Sequence, residues 1–339
     1  MTTDTYDVIC IGAGPTGLAC AIEAKRAGMR PLVIDKGYLC NSLYHYPTNM
    51  NFFTTPERME IGDLPMTISG GKPTRPEALK YYRRAVEHYG IEVRQRERVD
   101  LIEGSDGAFI VHTATDSGPR KYHAHKIVIA TGYYDFPNLL GIPGEDLPHV
   151  SHYFTDPHPY WNQDVVVIGA KNSAAEAALE LFRGGARVTL VHRDAAVGKS
   201  LKFWVKPDIE NRIAAGEIRA MFLSTVTRIE PHRVWVKNSN HEAAIPAEQV
   251  FAMTGYHPDY TFLEKQGIRL DRETRKPEID PETLETNRKG IYVAGVVVGG
   301  KQTSDIFIEN GRFHGRQIIT AMSGKGHLHE KAPVAPPGE

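Results

Sequence analysis

Two short runs of small residues carry most of the chemistry legible in this chain of 339 residues. The first is Gly12-Ala13-Gly14-Pro15-Thr16-Gly17, followed about 23 positions after Gly12 by a carboxylate, Asp35. The second is Gly169-Ala170-Lys171-Asn172-Ser173-Ala174, with His192-Arg193 where the acid would stand. In a G-x-G-x-x-G turn the first glycine permits the tight bend and the second lets the backbone approach a pyrophosphate. The third lets helix and strand pack closely. The helix that follows offers free N–H groups and a partial positive charge to phosphate oxygens. Asp35 can accept hydrogen bonds from an adenosine ribose. An acid at position 192 would repel a ribose 2′-phosphate, whereas Arg193 can make a forked contact with it, with Lys199 and Lys202 close behind. One turn read out by an acid and one by bases predict two different dinucleotides, with NADPH rather than NADH at the second. The plain alternatives are a glycine turn without a ligand and a solvated basic strand end. The first motif alone does not separate FAD from NAD.

The second run departs from the pattern. Ala174 in the last place is harmless, but Lys171 puts a side chain where the pyrophosphate approaches, or contacts it as a point charge. Asn172 and Ser173 are expected to cap the helix and add donors.

The elements that must position these residues follow from periodicity. Residues 7–11 read as a buried parallel strand, 18–27 as a helix that Gly28 can end, and 31–35 as a second strand. Residues 164–168, 174–183 and 187–192 repeat that strand–helix–strand order, which is an internal duplication. Residues 38–75 resist any periodic reading, and 76–90 read as a helix. Strands are expected near 109–113 and 126–130, the latter leading into Ala130-Thr131-Gly132. Another, at 291–293, feeds a glycine-rich turn at Gly295. One last helix is expected from about Ser304-Asp305 to Met322, and residues 323–339 read as a disordered tail whose His327 and His329 make no metal site.

Composition is that of a soluble globular protein, with 41% apolar and 24% charged residues and a net charge of -1. Nothing in it points to nucleic acid or a membrane as partner, and no apolar run is long enough to span a bilayer. The N-terminal residues lack the pattern of a signal peptide, so a cytoplasmic enzyme is expected. Cys10, Cys20 and Cys40 form neither a disulfide framework nor a zinc motif. Cys10 and Cys20 read as small buried hydrophobes. Cys40, in a loop after Asp35, has the better claim to reactivity.

Taken together, Gly12-x-Gly14-x-x-Gly17, Ala130-Thr131-Gly132, Gly169–Ala174, Val191-His192-Arg193 and Tyr292-Val293-Ala294-Gly295 resemble the thioredoxin reductase-like flavoproteins over nearly the whole chain. The resemblance implies an α/β fold of two Rossmann-like, three-layer (ββα) dinucleotide-binding domains. FAD would bind a discontinuous domain of residues 1–137 and 254–322, and NADPH an inserted domain of residues 138–253, in a homodimer or homotetramer. FAD contacts would come from the first turn (Gly12, Gly14, Pro15, Thr16, Gly17), Asp35, Lys36, Ser42, the Ala130-Thr131-Gly132 turn, Gly295, Ile306 and Phe307. NADPH contacts would come from Gly169, Lys171, Asn172, Ser173, Ala174, His192, Arg193, Lys199 and Lys202. The N-terminus of the last helix, near Ser304-Asp305-Ile306-Phe307, would point at the flavin O2 and stabilise the reduced anion. His152, His158 and Tyr133 are candidates for lining the flavin or delivering a proton.

The chain departs from thioredoxin reductases in Val150–Asp156, where Tyr153 and Asp156 occupy the places of the C-A-T-C cysteines. It is more similar to the YpdA family of bacillithiol disulfide (bacilliredoxin) reductases. The strings that carry this are Lys171-Asn172-Ser173-Ala174, Gly255-Tyr256-His257-Pro258-Asp259-Tyr260 and Ile306-Phe307-Ile308-Glu309-Asn310-Gly311-Arg312-Phe313-His314-Gly315. The resemblance also accounts for Val296, which stands where related flavoproteins have an aspartate. Members that use a cysteine carry it at the position of Thr16, which cannot form a mixed disulfide. Either that cysteine is not required, or Cys40 substitutes for it, or the acceptor differs. The expected reaction passes hydride from NADPH to the flavin N5, then electrons to a low-molecular-weight disulfide or a small bacilliredoxin-like protein. The rivals are a ferredoxin or flavodoxin NADP reductase and an NADPH-responsive flavin sensor. A flavin monooxygenase is disfavoured by Leu147 and His149, which replace the Phe and Gly of that fingerprint.

Overall fold

The structure, a computed structural model, describes residues 5–324, which divide into two units: residues 5–136 with 256–324, and residues 137–255. In the first, strand β1 (Thr5–Ile11) is buried on both faces, as a β-branched run between parallel neighbours must be. It leads through the first glycine turn into α1 (Pro15–Arg26) and then β2 (Pro31–Ile34). Helix α2 (Asn41–Tyr44) and a 3-10 turn (Pro56–Arg58) are the regular pieces of the long irregular stretch that follows. That stretch is held on α3 (Arg75–Tyr89), where Tyr82 Oη donates to Met59 O at 3.0 Å. A capping box starts α3: Glu77 N donates to Thr74 Oγ1, and the Glu77 carboxylate accepts from Thr74 N.

Four strands complete the N-terminal part: β3 (Glu92–Arg94), β4 (Arg98–Ser105), β5 (Ala108–Thr115) and β6 (Gly118–Ile129). Strand β6 works twice. Its first half pairs antiparallel with β5, and its last residues lie parallel to β1. The side-chain alternation of β1 then separates two faces. Val8 and Cys10 pack against the helices, while Ile9 and Ile11 pack against the meander of β4, β5 and β6. The result is a three-layer ββα arrangement.

The second unit repeats this plan. Its parallel sheet runs β10 (Arg219–Met221), β9 (Arg187–Val191), β8 (Asp164–Ile168), β14 (Gln249–Ala252) and β7 (Val150–Ser151). Val165 and Val167 face α4 (Asn172–Arg183) and α5 (Val205–Ala214). Val166 and Ile168 face an antiparallel layer of β11 (Thr225–Glu230), β12 (Arg233–Lys237) and β13 (Glu242–Pro246). The chain returns to the first unit through α6 (Tyr260–Lys265) and β15 (Ile291–Val293), which pairs with the end of β6.

The single last helix expected from the sequence is two helices, α7 (Ile308–Gly311) and α8 (His314–Ser323), and residues 301–307 are turns and irregular chain. Asn310 explains why the helix does not start at Ser304. Its Oδ1 accepts from Phe307 N at 2.7 Å and its Nδ2 donates to Asp305 O at 2.8 Å, so a side chain takes partners a longer helix would need. The C-terminal boundary also moves. Ser323 is helical and Gly324 closes α8 at φ 62, while the rest of the expected tail, with His327 and His329, lies outside the described residues. Among the described residues no helix is long and apolar enough to cross a membrane, and no side-chain cluster could hold a metal.

Candidate active site

The first glycine turn is built by close approach. Gly12 has φ 109, and a Cβ there would lie 2.3 Å from Ala130 O. A Cβ on Gly17 would lie 1.9 Å from Gly12 O, so both positions exclude any side chain. Gly14 differs, because a Cβ there would meet nothing within 4 Å. It is the N-cap of α1, and no side chain caps the first-turn N–H groups. Asp35 braces the turn, its Oδ2 accepting from Ala13 N at 2.6 Å and its Oδ1 from Gly37 N at 2.7 Å. Burial raises the pKa of its carboxyl, against the pull of those two hydrogen bonds.

Three further segments converge on this turn. Ala130 N donates to Ile11 O, and Thr131 and Gly132 continue from it at the end of β6. Cys40 N donates to Ala13 O at 3.0 Å, which brings α2 and Ser42 beside it. From the C-terminal part come Gly295 and Gly311, each so near that a Cβ would lie 3.1 Å from Thr16 Oγ1. Gly295 N in turn donates to His314 Nδ1 at 3.0 Å. Burial pushes the imidazole down to about 4, so the ring is neutral and its proton sits on Nε2. Arg312 donates from Nη1 to Glu57 O and Glu60 O, tying α7 to the irregular stretch. These roles of Asn310, Arg312 and His314 escaped reading from the sequence; their only trace there was the unusual string 306–315.

In the second turn Gly169 has φ 118, and a Cβ would lie 2.6 Å from Met253 O. Lys171 is the N-cap of α4, extended and exposed, so its side chain occupies the kind of space left open beside Gly14. Asn172 and Ser173 do not cap the helix as expected, since no side chain caps α4. The Asn172 amide instead holds the loop after β9, accepting from Lys202 N at 2.9 Å and donating to Ser200 O at 3.2 Å. His192 Nε2 lies 3.1 Å from Asp194 Oδ2, and Lys202 Nζ lies 2.6 Å from Glu176 Oε1. Arg193 and Lys199 are exposed and have no ionic partner among the described residues.

The pyridine nucleotide-disulphide oxidoreductase model matches residues 9–295. Bacilliredoxin reductase Bdr of Bacillus subtilis (strain 168) is 46% identical over 317 residues, covering 93% of this chain and 97% of that protein. The solved Bacillithiol Disulfide Reductase Bdr (YpdA) from Bacillus cereus superposes with a TM-score of 0.92 at 43% identity, over 95% of this chain and 100% of its own. The Bdr (YpdA) enzyme from Staphylococcus aureus gives a TM-score of 0.90 at 40% identity, over 96% of this chain and 100% of its own. This chain belongs to the Bdr (YpdA) group of the pyridine nucleotide-disulphide oxidoreductases. It is an oxidoreductase, and FAD and NADPH are the cofactors its family membership implies.

In a disulfide oxidoreductase the thiols matter first. All three cysteines are buried, and burial pushes each thiol pKa up. Cys40, the loop cysteine with the better claim to reactivity, is 1% exposed, which removes the access and the thiolate that a reactive cysteine needs. His152 lies in the second unit, with Nε2 3.5 Å from Glu145 Oε1. Asp156, matched from the sequence to a C-A-T-C position of thioredoxin reductases, accepts from His158 N at 2.9 Å, and His158 is exposed. Tyr133 packs edge-on to Tyr256 at 6.1 Å. Lys36 pairs with Asp135 at 2.9 Å, so its charge is already committed. Ile306 is half-buried and Phe307 exposed, edge-on to Phe53 at 5.8 Å. Both precede α7, whose four residues make it no substitute for the long helix expected to face the flavin O2.

Proposed function

We propose that this chain is an NADPH-consuming disulfide reductase that holds FAD on the first unit and NADPH on the second. The likeness to Bdr over nearly the full length of both chains carries the reading. Its acceptor would be bacillithiol disulfide or a bacilliredoxin disulfide. In balance, NADPH, one proton and a disulfide give NADP+ and two thiols; FAD, when bound, would supply the two-electron carrier between them.

The chain's own residues supply position and charge. The open space at Gly14 and the uncapped N–H groups of α1 suit the pyrophosphate of FAD, and the lone pairs of Asp35 not used by Ala13 and Gly37 suit its ribose. Gly295 packs against Thr16 in the first turn of the same helix. At the second turn Lys171, exposed at the N-cap of α4, would offer a cation to a phosphate at the uncapped helix start, and Arg193 with Lys199 suits a 2′-phosphate. Because every cysteine is buried and Thr16 cannot form a mixed disulfide, electrons reach the acceptor without a thiol of this chain.

NADPH consumption should therefore be fastest with bacillithiol disulfide or oxidised bacilliredoxin, against ferredoxin and oxygen. Faster delivery to ferredoxin, with none to either disulfide, would overturn the acceptor. Cys40→Ala should keep disulfide turnover within about twofold, and a loss of tenfold or more would return a thiol to the path.

A further inference from the structure

We propose that Phe203 is the adenine platform of the second unit's nucleotide site, with Trp204 as its support. The inference rests on NADPH binding at the second glycine turn.

Phe203 is 73% exposed and Trp204 40%. Single exposed rings are common on protein surfaces. These two follow a strap built onto the glycine turn. Gly198 N donates to Ala170 O at 2.9 Å, and a Cβ on Gly198 would come within 3.1 Å of that same oxygen. Asn172, the first residue of α4, takes Ser200 O and Lys202 N with both ends of its amide. Lys202 then reaches Glu176 one turn along the helix. Residues 198–202 are thus laid across the start of α4, and the next two positions are the rings.

The same loop carries the two cations that lack an ionic partner among the described residues, Arg193 where it leaves β9 and Lys199 on the strap. Cations alone would suit any phosphate. A planar apolar face within the same loop adds selection for a base attached to it, because every base presents a π-face to an aromatic ring. The two rings divide the work. Their centroids are 4.8 Å apart at 88°, and Lys202 Nζ lies 5.8 Å from the Trp204 ring. Trp204 is also the N-cap of α5, so it is held from several sides while Phe203 keeps an open face.

Titrations of the FAD-loaded enzyme with adenosine 2′,5′-bisphosphate and with AMP test this. Phe203→Ala should weaken both by the same factor, about tenfold, because both carry adenine. Phe203→Tyr should restore binding, and Arg193→Ala should weaken only the bisphosphate. Equal affinity of wild type and Phe203→Ala would overturn the platform and leave the nucleotide site standing. So would a change in oligomeric mass without a change in affinity, which would make the pair a contact between copies. Failure of wild type to bind the bisphosphate at all would instead sink the NADPH reading on which the inference rests.

Discussion

Gly14 and Lys171 occupy the same step of two copies of one turn, and their backbones nearly coincide, at φ -75, ψ 174 and φ -86, ψ -176. Neither conformation requires glycine. At the flanking first positions, Gly12 and Gly169, φ is 109 and 118 and a Cβ would strike a carbonyl oxygen of a neighbouring strand end. The turn therefore tolerates change where it faces a ligand and forbids it where it faces its own sheet. That freedom lets one scaffold be tuned twice. The first copy has a glycine open to its surroundings and a half-buried acid; the second has an exposed lysine at that step and two exposed cations further on.

The largest effects should come from the forbidden positions. Gly17→Ala drives a Cβ into Gly12 O, so the enzyme should purify without the yellow of bound flavin. Gly169→Ala should stay yellow yet lose binding of adenosine 2′,5′-bisphosphate by about a hundredfold or more. If either variant lost both ligands together while remaining folded by circular dichroism, the two turns would not serve separate cofactors.

His314 gives an effect of intermediate size, confined to the first unit. Its pKa is about 4 in the fold and an ordinary 6.5 when unfolded. Above 6.5 both states are neutral and its contribution is complete. As pH falls from 6.5 towards 4 the unfolded chain gains a proton that the fold refuses, so stability drops by up to about 3 kcal/mol. Urea unfolding across that range should show the drop in wild type and a shallower one in His314→Gln. Identical slopes would mean that the imidazole is not held neutral against Gly295. Lys171→Gly should be the mildest change, weakening the bisphosphate by about threefold through loss of one exposed charge. A hundredfold loss would make the lysine a principal phosphate ligand instead.

The strand–turn–helix cores were legible because their requirements are local. A β-branched run, small residues at fixed steps and a helix former suffice to recognise them. The third layer was less so: the meander of β4 to β6 appeared only in fragments, and β11 to β13 not at all, since short half-buried strands carry weak alternation. Other features depend on partners far along the chain. Asn172 looks like a helix cap until the loop at Ser200 and Lys202 folds back onto it. Asn310 holds back the start of a helix that periodicity alone would begin near Ser304. Cys40 reads as a loop thiol because nothing local reports that its loop is buried against the helices.

The division of labour between the turns is tested most directly by anaerobic reduction of the yellow enzyme, following flavin absorbance with NADPH and with NADH. Wild type should favour NADPH by about tenfold or more, and Arg193→Ala with Lys199→Ala should erase that preference while the enzyme stays yellow. Equal reduction of wild type by both nucleotides, or an undiminished preference in the double variant, would contradict the assignment of NADPH to the second turn.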